Sequence, residues 1–110
     1  MRKIELSQVT QRVKDMFIDA CRNVPDSVLS ALKNAAEKEQ SPLSREVLQK
    51  IIQNDLLARE KSLPMCQDTG VAVVFLTVGS EVVFDGDIYK AVNEGVRLAY
   101  TEGYLRKSVV

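Results

Sequence analysis

The chain has 110 residues, 45% hydrophobic and 27% charged, with 15 basic side chains balanced by 15 acidic ones and no histidine. That length suits one soluble domain of ordinary composition. The even charge leaves no basic footprint for a nucleic acid, and the missing imidazole leaves carboxylates, thiols, amides and cations to do any chemistry. The longest apolar run, residues 71–76, is far short of the roughly 20 residues that span a bilayer, and the basic start meets Glu5 and Gln8 where a signal peptide needs an apolar core, so a cytoplasmic protein is expected.

The first half reads as helical. After Ser7, apolar residues at Val9, Val13, Met16, Phe17, Ala20, Cys21 and Val24 keep a helical period, which Pro25 ends. Asp26 or Ser27 is expected to cap a second helix carrying Val28, Leu29, Leu32, Ala35 and Ala36. Ser41-Pro42 places a hydroxyl cap before a first-turn proline and opens a long third helix. Its stripe runs through Leu43, Val47, Leu48, Ile51, Ile52, Asp55 and Leu56, continues through Leu57 and Ala58, and ends near Lys61. Glu46 and Lys50 sit one turn apart in the favourable order.

The period then changes. Residues 62–70 lack helical spacing and are bounded by proline and glycine, a loop. Residues 71–78, VAVVFLTV, have the composition of a buried strand, and Val82-Val83-Phe84 reads as a second one. Asp85-Gly86-Asp87 turns the chain and caps a last helix with Ile88, Val92, Gly95, Val96 and Ala99 on one stripe, ended by Gly103. Helices, then a short β segment, then a further helix make an α+β fold. One or two strands are too few for a stable sheet, and residues 104–110 look like an element entering a core, so the chain is expected either to pair with another or to be part of a longer one.

The loop string PMCQDTG, residues 64–70, sets a thiol, an amide and a carboxylate on consecutive positions, followed by a hydroxyl and a glycine. Thiolate is a soft ligand suited to iron–sulfur clusters, an amide can hold a carboxylate, and an aspartate can move a proton. Cys21, 45 positions away on the apolar face of a helix, reads as core, and a disulfide between the two cysteines is unexpected in a reducing compartment. Plainer roles stand beside these: Asp68 as a turn cap or ion-pair partner, Gln67 as a backbone ligand, Arg106 as a solvated charge.

P-x-C-Q-D-T-G, with NEGVRLAYTEGYLRKSVV at residues 93–110 and the preceding helix, resembles the N-terminal (alpha) part of the class I, iron–sulfur fumarate hydratase and tartrate dehydratase family. The match covers most of residues 1–110 and is clearest over 41–110. The resemblance implies a hydro-lyase that reversibly hydrates fumarate to malate on a [4Fe–4S] cluster held by three cysteines. It implies that Cys66 is one cluster ligand. Gln67, Asp68 and Arg106 would face the dicarboxylate substrate, with Asp68 moving a proton. The other two cluster cysteines have no counterpart here, so the isolated chain is expected to be inactive. Its implied partners are the rest of the catalytic domain and a C-terminal domain or beta subunit, in an oligomer. Tartrate as substrate, a non-catalytic helical interaction domain and a thiol redox sensor are the competing readings. The last is the weakest, since Lys61 is the only cation flanking the loop.

Overall fold

A computed structural model describes residues 1–108, in the order β1 (Arg2–Ile4), α1 (Leu6–Arg22), α2 (Asp26–Lys38), α3 (Pro42–Lys61), β2 (Val82–Phe84) and α4 (Ile88–Glu102). This is the expected α+β arrangement. Two helices, α3 and α4, begin at side-chain caps: Ser41 Oγ accepts from the Ser44 N–H at 3.4 Å, and Asp87 Oδ1 accepts from the Tyr89 N–H at 2.9 Å. Among the described residues no helix is long and apolar enough to cross a membrane. These residues form two compact units, Met1–Asp19 with Gln67–Val110, and Ala20–Cys66.

In the first unit β1 and β2 pair in parallel, with Arg2 opposite Val82, Lys3 opposite Val83 and Ile4 opposite Phe84. The next link also crosses the whole sequence: the Leu6 N–H donates to Asp85 Oδ1 at 2.8 Å, so a turn carboxylate caps α1 from 79 residues away. The N-terminal part of α1 packs closely on α4. A Cβ on Gly95 would stand 2.7 Å from the Thr10 carbonyl oxygen and 2.8 Å from Val13 Cβ, so only glycine fits at that crossing. Thr10 Oγ1 donates to the Ala91 carbonyl at 2.8 Å, and Lys14 Nζ meets Glu102 Oε2 at 2.7 Å. Among the described residues Ala91, Ala99 and Leu105 are the buried hydrophobics of this unit.

The second unit packs α2 against α3 and includes the end of α1. Val24, Leu29, Ala36 and Ala58 are buried there, together with the carboxylate-bearing Asp55. Arg59 Nη2 reaches the Val24 carbonyl and, at 3.4 Å, Asp26 Oδ1. Glu46 and Lys50 form their expected surface pair at 3.4 Å.

Four expectations change. Residues 71–78 form no strand: the sheet contains only β1 and β2, so this run has no neighbour to bond to, and Val71, Val73 and Phe75 stand 64%, 64% and 93% exposed. β1 was unforeseen, since two of its three residues are charged. Asp26 lies inside α2, whose N-cap is Pro25, a residue without a capping side chain. The stripe of α3 is only partly covered; Leu48 and Ile52 are half-buried, whereas Leu43, Val47, Ile51 and Leu56 are exposed. Val109 and Val110, the end of the second motif block, lie outside the described residues.

Candidate functional site

The loop that carries the chemistry starts from a well-anchored end of α3. Ser62 takes the left-handed conformation (φ 53°), and the N–H groups of Ser62 and Leu63 both donate to the Ala58 carbonyl, a tight helix stop. Both backbone polar groups of Met65 are then held: its N–H donates to the Cys21 carbonyl at 2.9 Å, and its carbonyl accepts from Asn54 Nδ2 at 2.7 Å. Cys66 follows directly and is exposed. Cys21 is half-buried, and its loss of solvent pushes its thiol pKa up, against a smaller opposing effect of the Arg22 charge. Of the two thiols, Cys66 is the accessible one.

Beyond Cys66 the chain enters the first unit, where residues 67–70 meet the segment after α4. Gly70 turns with φ +66°, a conformation glycine adopts without penalty. That turn lets the Gly70 N–H donate back to Asp68 Oδ1 at 3.0 Å. The same oxygen accepts from Ser108 Oγ at 3.0 Å. The Gly70 N–H first, then the Ser108 hydroxyl, hold the Asp68 carboxyl below its usual pKa; slight desolvation works the other way and the Arg106 charge adds a smaller downward pull. Asp68 thus closes the Gly70 turn, and its side chain remains exposed.

Arg106 joins the group from the far side. Its Nη1 donates to Gln67 Oε1 at 3.3 Å, and its main-chain carbonyl accepts from Thr69 Oγ1 at 2.6 Å. Tyr100 Oη donates to the Gly70 carbonyl at 3.1 Å. Gln67, Asp68 and Arg106, singled out separately, are thus one surface cluster. Thr69, Tyr100 and Ser108 were not singled out. Thr69 and Tyr100 stand inside the two motif blocks, but nothing in spacing says that they touch.

A guanidinium beside an amide can clamp a carboxylate, and an ionised aspartate can take up a proton. An exposed thiol can become a soft metal ligand. Among the described residues no three His, Cys, Asp or Glu side chains cluster to hold a metal ion. The two cysteines, Cys21 and Cys66, are fewer than the thiolates a [4Fe–4S] cluster takes, so these residues alone do not complete such a set.

The chain belongs to the fumarate hydratase (Fumerase) family, whose model matches residues 10–110. It is 38% identical over 108 residues to the putative L(+)-tartrate dehydratase subunit alpha of Methanocaldococcus jannaschii, covering 94% of this chain and 37% of that protein. It is 26% identical over 105 residues to the L(+)-tartrate dehydratase subunit alpha of Escherichia coli K12, covering 96% of this chain and 35% of that protein. The chain therefore spans little more than a third of the length of these relatives. Both named activities are hydro-lyase reactions, which add or remove water at a carbon–carbon bond.

Proposed function

We propose that residues 1–110 are the N-terminal part of the alpha subunit of an iron–sulfur hydro-lyase that hydrates fumarate to malate. The carrying observation is the placement of Gln67, Asp68 and Arg106 as one surface group directly after the exposed Cys66. In this reading Cys66 gives one thiolate to a [4Fe–4S] cluster, and the other ligands come from polypeptide outside these residues. When bound, the cluster supplies Lewis acidity to a hydroxyl and a carboxylate. The chain's own groups bind and move protons. Arg106, oriented by Gln67, takes a substrate carboxylate in a two-point contact, and the Gln67 amide adds a donor. Asp68 moves the proton at carbon: it takes that proton when malate loses water and returns it when fumarate is hydrated. The completed protein contains a beta subunit or C-terminal domain, is oligomeric, and works in the reducing cytoplasm, where thiols stay available. The names of the relatives favour tartrate as a second reading of the substrate, because the same clamp suits either dicarboxylate.

The test is the complete, iron-loaded protein assayed on fumarate, malate and tartrate. Asp68→Asn should keep iron content and lose roughly 10²–10⁴-fold in kcat. Arg106→Lys should raise KM at least as much as it lowers kcat, because the charge stays and the fork is lost. Full turnover in Asp68→Asn with full iron content would remove Asp68 from the chemistry.

A further inference from the structure

Residues 71–78 leave the site with a polypeptide run that has every property of an inner strand except a neighbour. Seven of the eight residues are apolar and four are valines, the near-continuous composition of a strand buried on both faces. The run is nevertheless solvent-facing along its length, with Phe75 93% exposed. Among the described residues, none of its backbone N–H or C=O groups takes part in a hydrogen bond. Buried or paired backbone is the rule for such sequence, so these groups are open to pairing. Beside it, Val73, Val74, Phe75 and Leu76 form one wall of an open groove of about 960 Å³, whose other wall includes Val13 and Phe17 of α1. Both walls belong to the first unit.

We infer that residues 71–78 become a strand by pairing with an apolar strand from the part of the alpha subunit that these 110 residues do not span, and that the groove against α1 receives side chains of that same segment. The occupant follows from the lengths: the M. jannaschii subunit has nearly two thirds of its chain outside the matched region. A strand in the same polypeptide meets this edge at an effective concentration in the millimolar range for short connections, ahead of a second copy at ordinary concentrations. The pairing gives the backbone groups of the run the partners that an apolar strand needs. It also fixes the run that leaves Gly70, and so stiffens the loop bearing Gln67 and Asp68. This deepens the reading of the chain as one part of a larger subunit but uses no cluster and no substrate.

The experiment is hydrogen exchange on two proteins: the 110-residue chain, and a fusion of that chain to the unmatched remainder of the M. jannaschii subunit. The amides of residues 71–78 should exchange freely in the first and about 10²-fold or more slower in the second. Val74→Pro, which removes one ladder donor, should leave the circular dichroism of the short chain unchanged and abolish protection in the fusion. If the fusion does not unfold cooperatively, the residues of the intact M. jannaschii subunit aligned with 71–78 are read instead. Unprotected amides in the folded long protein, or protection that survives Val74→Pro, would overturn the proposal. Protection in the short chain that rises with its concentration would overturn it in favour of self-pairing. Turnover plays no part in the readout, so a failed hydro-lyase assay with protected amides refutes only the enzymatic reading.

Discussion

Gly95→Ala tests whether the crossing of α1 and α4 is as close as described. In an exposed helix interior this change is worth up to about 1 kcal/mol in favour of alanine. Here the added methyl would stand 2.7 Å from the Thr10 carbonyl oxygen and 2.8 and 2.9 Å from Val13 Cβ and Cγ1. Two of those atoms sit on or next to the backbone and cannot rotate away, so the helices themselves must separate. Overpacking of this kind costs about 1–3 kcal/mol, and the rigid neighbours place this site near the upper end. After the helix propensity is credited, a net loss of roughly 2 kcal/mol remains, a fall in Tm on the order of 8–16 °C for a chain of this size. The assay is thermal unfolding by circular dichroism, with Asn93→Ala against Asn93→Gly as the measure of propensity at an exposed position of α4. A Tm for Gly95→Ala equal to or above that of the parent would refute the close approach.

Three further outcomes follow from particular contacts. Asp87→Ala removes the oxygen that accepts from the Tyr89 N–H and should lower stability by about 1 kcal/mol in urea titration, with Asp87→Asn restoring most of it. Mass-spectrometric iodoacetamide labelling at pH 8 should modify Cys66 well before Cys21, since burial both shields the Cys21 thiol and raises its pKa; equal rates would contradict the placement of Cys21. The Arg97 hydrogen bond depresses the Glu94 pKa, so the pair contributes only above the unfolded-state glutamate pKa and loses its contribution as pH falls through the lower folded-state value. Glu94→Gln should therefore be slightly less stable than the parent at neutral pH and indistinguishable from it at pH 2.

The four helices were legible because each repeats its apolar spacing over several turns, and Ser41-Pro42 and Asp87 mark two of the starts in plain residue chemistry. β1 was not legible, because Arg2 and Lys3 carry no strand signal and their partners lie 80 positions away. Residues 71–78 were misread for the complementary reason. Composition reports how a segment behaves when a neighbour bonds to it, and within the described residues no neighbour does. At the site, the adjacency of Cys66, Gln67 and Asp68 was visible in the string, and the motif resemblance singled out Arg106. What holds Asp68 and Arg106 was invisible, since Ser108 lies 40 positions from Asp68 and Thr69 lies 37 from Arg106. Main-chain contacts such as Met65 N–H to the Cys21 carbonyl leave no trace in residue type at all.

The parallel pairing of residues 2–4 with residues 82–84 also dictates an order of events during synthesis. Closing a flexible loop of that length costs about 4 kcal/mol of chain entropy before any contact compensates it. The first residues made must therefore wait until Phe84 has left the ribosome, and α1 must wait for Asp85 to cap it. Residues 20–66 have their partners within their own stretch and need no such delay. At translation rates of about 5–20 residues per second, the amino terminus stays unpaired for several seconds while that middle stretch is already free to fold. A bulky group fused ahead of Met1 would crowd the edge of β2 that residues 2–4 must reach.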